Sequence, residues 1–167
     1  MLKNGGKLYW QFNCKKIWLT LELISGRKIT LDTVPIEFYA YTYRLCYDLF
    51  KEFSRSLLFR SGCPANGPCN FVLIDKSNGK KITEFGELVY SHTTDSIYGF
   101  ILYLSSNIVL TLHYIDTGKK YRIKIDSTQI NALVPEYSFS NPILNNNILT
   151  LDYGNKKLTI DLTKYSR

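Results

Sequence analysis

Residues 97–125 read IYGFILYLSSNIVLTLHYIDTGKKYRIKI, and this stretch decides the fold class. Apolar and β-branched residues fill two runs, 97–105 and 108–115, which are joined by a turn-forming Ser-Asn pair. A Thr-Gly pair then turns the chain into a third run, residues 121–125. The first run is apolar on both faces, as is typical of a strand in the middle of a sheet. The stretch therefore predicts an antiparallel β-meander.

Similar short runs occur on both sides of this stretch. They alternate apolar and polar residues between turn-forming residues, which is the pattern of half-buried strands. Tyr, Ile, Thr and Val favour such strands, and aromatic residues make up 14% of the chain. We predict irregular structure at residues 126–145 and further strands at residues 7–12, 16–24, 28–31, 70–75, 81–85, 148–153 and 158–162.

One segment, residues 35–58, has a different periodicity. Its large apolar side chains recur at alternating gaps of four and three residues, which places them on one face of a helix. Thr33 suits the N-cap position and Pro35 suits the first helical turn. The pattern predicts a helix over about 35–58 with a core-packed stripe of Tyr39, Tyr43, Cys46, Phe50, Phe53 and Leu57.

Together these elements predict an α+β, mainly β fold. The expected arrangement is an antiparallel β-hairpin or meander sheet, or two packed sheets, with one helix against it. The 167 residues contain no linker-like stretch, so a single β-rich domain over residues 1–167 is expected. A small propeller-like fragment is a second architecture, because four similar hairpins recur at intervals close to the period of propeller blades.

The recurring hairpin has one plan: an apolar strand end, a Gly turn, a dibasic pair and a new strand. Gly supplies the positive φ of the turn and Lys discourages edge pairing, so turn chemistry by itself accounts for the pattern. If the hairpin tips project the same way, they also form a basic rim that attracts phosphates or carboxylates. This predicted rim comprises Arg27, Lys28, Lys80, Lys81, Lys119, Lys120, Arg122, Lys124, Lys156 and Lys157.

Charge and hydropathy narrow the partners and the compartment. The formal charge of +7 supports solubility and permits an acidic protein, nucleic acid or an anionic membrane surface as partner. No apolar run is long enough to span a bilayer, and residues 1–7 lead into no apolar core of a signal peptide. A cytoplasmic location is expected, or a periplasmic or secreted one if a signal was removed and the cysteines are paired.

The four cysteines include one close pair. Cys63 and Cys69 flank the sequence Pro-Ala-Asn-Gly-Pro, a tight loop that can bring their Cα atoms within disulfide distance. A structural disulfide and two reduced thiols are both consistent with this loop. No metal site is expected, because zinc ligands are usually about two to four residues apart and His92 and His113 stand alone.

Motifs of the common enzyme classes do not occur in the sequence. It contains no G-x-S-x-G, no phosphate-binding G-x-x-x-x-G-K, no G-x-G-x-x-G and no H-E-x-x-H. We therefore predict no cofactor. His92 and His113 can act as general bases only if the fold brings a nucleophile to one of them.

These observations favour a non-catalytic binding module whose partner is another protein, as in inhibitors and immunity proteins. Tyr-rich β-surfaces suit this role, because Tyr gives a large contact area at a low entropic cost. The alternative is a nucleic-acid-binding protein that uses the basic rim. A hydrolase or transferase built on His92 or His113 is the second alternative.

Overall fold

The computed structural model describes residues 1–63, 68–92, 99–105 and 108–165. The described residues are mostly β-structure, in four antiparallel sheets with one short α-helix. The predicted α+β, mainly β fold class is confirmed. In every sheet the neighbouring strands are consecutive in the chain, so each sheet is a meander of hairpins.

Contacts between residues divide the chain into two compact units, Met1–Phe85 and Gly86–Arg167. Each unit contains one three-stranded and one four-stranded sheet. The interpretations of the whole chain as a single domain or as a propeller-like fragment stay predictions.

The first unit is built from two sheets that share one hydrophobic cluster. The three-stranded sheet comprises β1 (Lys7–Phe12), β2 (Lys16–Glu22) and β3 (Lys28–Pro35). The four-stranded sheet comprises β4 (Asp48–Glu52), β5 (Ser56–Ser61), β6 (Asn70–Asp75) and β7 (Lys81–Phe85). Alternate side chains of the inner strands β2, β5 and β6 meet in this cluster, which contains Leu19, Leu21, Leu57, Phe59, Val72 and Ile74.

The second unit repeats this plan with the larger sheet first. Its four-stranded sheet comprises β8 (Leu88–His92), β9 (Phe100–Ser105), β10 (Val109–Tyr114) and β11 (Lys120–Ile123). Its three-stranded sheet comprises β12 (Phe139–Asn145), β13 (Ile148–Tyr153) and β14 (Lys156–Asp161). Both sheets contribute to a second hydrophobic cluster, which includes Phe100, Leu102, Leu112, Leu149, Leu151 and Ile160.

The predicted helix over residues 35–58 is wrong in extent. A 3₁₀ helix at Ile36–Tyr41 and the α-helix α1 (Thr42–Leu45) are followed by strands β4 and β5. The reason is the run Leu57, Leu58 and Phe59, in which all three side chains are fully buried. A surface helix buries one face only, whereas an inner strand can bury both, so this run stabilises a central strand.

Each predicted strand overlaps an observed one, although residues 97 and 98 of one prediction and its turn at residues 106 and 107 lie outside the described residues. The irregular structure predicted for residues 126–145 is partly wrong. Residues 139–145 form β12, in which the register against β13 shifts between Ser140 and Ile143. Asn141 has a φ of 49° within this bulge and Pro142 follows it. The sequence pattern did not predict this strand because Asn and Pro are both rare in regular strands.

Candidate protein-binding surface

Residues 36–45, which we term the first connector, join the two sheets of the first unit. They comprise the 3₁₀ helix and α1, and neither helix contains a buried residue. Their sequence, IEFYAYTYRL, is among the most aromatic stretches of the chain. The structure therefore places a cluster of large apolar side chains on the surface rather than in the core.

The tyrosines of the first connector are the most exposed part of this cluster. The exposed fractions are 68% for Tyr39, 54% for Tyr41 and 67% for Tyr43. Phe38 and Leu45 are exposed as well. Several large exposed apolar side chains within one short segment make it a candidate interaction site.

Main-chain hydrogen bonds hold the first connector at both ends. At its start, the N–H of Ile36 donates to the carbonyl oxygen of Lys15 over 3.0 Å. At its end, the N–H of Cys63 donates to the carbonyl oxygen of Arg44 over 2.9 Å. The backbone is thus fixed without the aromatic side chains, which leaves those side chains available for contacts outside the chain.

The residues after the first connector anchor it to the core. The buried Cys46 donates its N–H to the carbonyl oxygen of Thr42, and the N–H of Tyr47 donates to a carboxylate oxygen of Asp32 over 2.9 Å. The Tyr47 ring stacks on Phe59 with ring centroids 5.4 Å apart. Burial, together with the nearby Asp32, raises the pKa of Cys46 to about 11, so this thiol stays protonated at neutral pH.

Three basic residues lie in or next to the first connector. The Arg44 guanidinium lies 6.0 Å from the centre of the Tyr43 ring, within the range of a cation–π contact. Lys15 and Lys16, in the turn that the first connector touches, are exposed. Glu37 is the single acidic residue of the connector. Glu37 balances Arg44 within the connector, so the positive charge comes from Lys15 and Lys16, and the nearby Asp32 carboxylate offsets part of it. The small positive excess complements an acidic partner.

The predicted cysteine pair lies beside the first connector. Cys63 and Cys69 form a disulfide with their Cα atoms 4.3 Å apart. It closes the hairpin of β5 and β6 just beyond their last register pair, and Cys63 also holds Arg44 through the bond described above. The loop residues 64–67 lie outside the described residues. Cys14 and Cys46 are not paired with each other or with another cysteine of the described chain.

All ten residues of the predicted basic rim are exposed, and the first unit contains four of them. Its two dibasic turns approach one another. A Cβ at Gly79, beside Lys80, would stand only 2.8 Å from Cγ2 of Ile29, the neighbour of Lys28. Carboxylates already compensate part of this charge, because Lys28 pairs with Glu22 and Lys81 with Glu84.

The second unit contains the other six rim residues but separates its two dibasic turns. Lys156 pairs with Asp126 over 2.9 Å, three residues beyond the end of β11. Lys119 and Lys120 lie at the opposite end of that strand, roughly 20 Å away at the rise of an extended chain. Arg122 and Lys124 lie between these two groups along the chain and are exposed. The rim as one continuous surface stays a prediction.

The two histidines lie on opposite faces of one sheet. His92 pairs in register with Phe100 and, through it, with Tyr114, whereas His113 pairs with Ile101. His113 is buried, and this burial, reinforced by the charge of Lys120, lowers its pKa to about 4. In the part of the chain that the structure describes, no group of His, Cys, Asp and Glu is placed to hold a metal ion.

Among the described residues, no helix is long and apolar enough to cross a membrane. No protein-family model matches the chain, and no curated protein or solved structure matches it either. The function therefore has to be argued from the chain's own residues.

Sequence reasoning placed Tyr39 and Tyr43 in the core and missed the first connector as a surface. The spacing of the aromatic residues in this segment could have indicated that some of them are exposed. Aromatic side chains at positions 38, 39, 41 and 43 spread over about 200° of an α-helix, which is wider than the single face that a surface helix buries. An aromatic arc wider than one helical face thus indicates that some of these side chains are exposed.

Proposed function

We propose that this chain is a non-catalytic protein-binding module that docks an acidic protein on its first connector, as inhibitors and immunity proteins dock their targets. The observation that supports this most is the exposure of Tyr39, Tyr41 and Tyr43 on a backbone that is already fixed. A fixed backbone lowers the entropic cost of binding, because little main-chain freedom remains to be lost.

The composition of the surface also supports this role. Tyr and Arg are enriched among the residues that carry most of the energy of protein interfaces. Basic side chains at the margin accelerate association with an acidic partner and add specificity. The first connector combines its three tyrosines with Arg44 inside it and with Lys15 and Lys16 beside it.

The test is affinity capture of the tagged full-length protein from its own source, with nuclease treatment and washes of rising salt. The comparison is with a variant that carries Tyr39→Ser, Tyr41→Ser and Tyr43→Ser. We expect the wild type to retain a stoichiometric protein through both treatments, because buried aromatic contacts are insensitive to salt. The triple variant should lose that protein.

A matched control removes an exposed tyrosine from the second unit. Tyr137 is exposed and lies in another short 3₁₀ helix. Tyr137→Ser should capture the same partner as the wild type. Equal capture by the triple variant and the wild type would contradict the proposal, provided that both have the same circular dichroism spectrum.

One observation favours nucleic-acid binding as a second candidate function. Lys120, Arg122 and Lys124 are exposed and alternate with the less exposed Tyr121, Ile123 and Ile125 along β11 and the two residues after it. A basic strand face of this kind matches a row of phosphates. Replacing all three basic residues by Gln should weaken binding to a duplex DNA probe and flatten its dependence on salt. Unchanged affinity and salt dependence would rule this candidate out.

A further inference from the structure

Most edge strands in this protein are distorted in a way that discourages pairing with another chain. Each of the five register shifts in the described sheets places its extra residue in an edge strand, namely β3, β4, β7, β8 or β12. Bulges at edges are a common device against unwanted strand pairing. Of the remaining edge strands that the structure describes, β11 and β14 begin with lysine and have few large apolar side chains exposed.

β1 also begins with a lysine, but it has no bulge and two of its large aromatic side chains are exposed. It pairs with β2 in an unbroken register from Lys7 opposite Glu22 to Phe12 opposite Ile17. Its only basic residue is Lys7 at one end, and that side chain is paired with Glu22. Trp10 and Phe12 are 40% and 75% exposed. β1 is therefore a regular edge strand with exposed aromatic side chains, which is the type of edge that accepts another strand.

The hydrogen-bond pattern shows which backbone groups of β1 point away from the sheet. The N–H of Asn13 donates to the carbonyl oxygen of Lys16, so this pair is a hydrogen-bonded one. Hydrogen-bonded and non-bonded pairs alternate along an antiparallel ladder. The backbone groups of Leu8, Trp10 and Phe12 therefore point outward, and they have no hydrogen-bond partner in the described chain.

The sequence of β1 is complementary to itself in one antiparallel register. With Trp10 opposite Trp10 of a second copy, Leu8 lies opposite Phe12 and Tyr9 lies opposite Gln11. Lys7 then faces Asn13, so no two lysines of the strands oppose each other. This register also aligns the outward backbone groups as hydrogen-bonded pairs.

We infer that the occupant of the β1 edge is the β1 strand of a second copy of this chain, paired antiparallel about Trp10. The inference is independent of the partner proposed for the first connector. Two six-residue strands and their aromatic pairs form an interface at the low end of the usual size range. The dimer is therefore weak and its population depends on protein concentration.

Sedimentation equilibrium of the full chain over a range of concentrations tests this inference. The wild-type mass should rise from 19.3 kDa toward twice that value as the concentration increases. Trp10→Lys should stay at the monomer mass throughout, because it places two lysines opposite each other. Tyr39→Lys, which adds the same charge on the first connector, should dimerise like the wild type.

Two results would overturn the inference. One is a wild-type mass that stays at 19.3 kDa up to the limit of solubility. The other is a Trp10→Lys variant, folded by circular dichroism, that dimerises as strongly as the wild type. Neither result bears on partner capture by the first connector, and loss of capture would leave the dimer unaffected.

Cross-linking with diamide tests the register with variants that keep the edge backbone intact. In a Cys14→Ser background, Trp10→Cys places two thiols on directly opposed residues, about 5.5 Å apart between Cα atoms and within disulfide range. Phe12→Cys places its two thiols four residues apart along the strands, about 13 Å away. We expect covalent dimers with Trp10→Cys only. Equal cross-linking of both variants, or of neither, would contradict the register.

Discussion

Each unit joins its two sheets through an irregular connector, and the two connectors use their side chains in opposite ways. The first connector is held at its ends by main-chain bonds and leaves its aromatic side chains exposed. The second connector, residues 124–138, is held by side chains. The Asp126 carboxylate accepts hydrogen bonds from Thr128 and Lys156, and the Tyr153 hydroxyl donates to the Asp126 carbonyl oxygen.

The packing of the two connectors shows the same difference. Ile125 and Ile130 of the second connector pack against the core cluster of their unit. The hydrogen bonds of Thr128 and Lys156 lower the pKa of Asp126 to about 2, so this anchor stays ionised at all ordinary pH values. The side chains of the second connector thus stabilise the fold of their own unit. The first connector instead has three exposed tyrosines close together in the chain, whereas the second connector has one, Tyr137.

The largest expected effect is a difference in the free energy of unfolding between variants of a buried aromatic residue and variants of an exposed connector tyrosine. Phe53 is buried, and Phe53→Ala should lower the free energy of unfolding by about 3–5 kcal/mol through the cavity it creates. Tyr39→Ala should change it by no more than about 0.5 kcal/mol. Urea denaturation of both variants gives the comparison. A large loss for Tyr39→Ala would show that the first connector supports the fold.

A pH titration compares the two units. Both histidines lie in residues 86–167, and the pKa of the buried His113 is about 4. Between its usual pKa of about 6.5 and pH 4, the unfolded chain binds a proton that the folded chain does not. Stability should therefore fall by up to about 3 kcal/mol as the pH decreases through this window.

His113→Leu should remove most of this pH dependence, because an apolar side chain of similar size cannot titrate. The Nδ1 atom of His113 has no hydrogen-bond partner among the described residues, so little hydrogen bonding is lost. Hydrogen exchange followed by mass spectrometry at pH 7 and pH 4.5 resolves the two units. Acid-induced opening that begins in residues 1–85 would contradict the assignment to His113.

Removal of the disulfide tests one end of the first connector. Cys63→Ser with Cys69→Ser should cost about 2 kcal/mol, a modest value because the closed loop is short. It should also increase hydrogen exchange in α1, since Cys63 holds the carbonyl oxygen of Arg44. The Cys14→Ser variant is the control and should match the wild type. Unchanged exchange in α1 would show that other contacts fix this end.

The smallest effect tests how tightly the second connector packs. Gly154 and Gly118 both have positive φ, but only a Cβ at Gly154 would meet a backbone atom, the carbonyl oxygen of Gln129 at 2.8 Å. Gly118→Ala should cost about 1 kcal/mol from backbone strain alone. Gly154→Ala should cost about 1 kcal/mol more, because the second connector must move. Equal losses in thermal denaturation would show that this contact adapts freely.

Sequence patterns correctly predicted the elements that depend on neighbouring residues alone, such as the hairpin turns. The hairpins form where a Gly or Asn turn separates alternating runs, as at Gly79 and Gly118, and both glycines have the positive φ that was expected. The stripe from Tyr39 to Leu57 misled, because a spacing of three and four residues also arises by chance in strand-rich sequence. Leu58 and Phe59 lie in an inner strand because β5 pairs with β6 as well as with β4, and this pairing is not visible in the local sequence.

The candidate surface was harder to predict than the fold. The ten rim residues are exposed as expected, yet sequence cannot show that Lys28, Lys81 and Lys156 have carboxylate partners. The segment that carries Tyr39, Tyr41 and Tyr43 is tied by main-chain bonds to Lys15 and Cys63, which lie outside the connector. Long-range contacts of this kind leave no local pattern.

The most direct test of the central claim is chemical footprinting of the tyrosines in the free protein with tetranitromethane, read out by mass spectrometry. The account predicts rapid modification of Tyr39, Tyr41 and Tyr43, together with the exposed Tyr137, and slow modification of the buried Tyr103, Tyr114 and Tyr153. Protection of the three connector tyrosines to the level of the buried ones would contradict it.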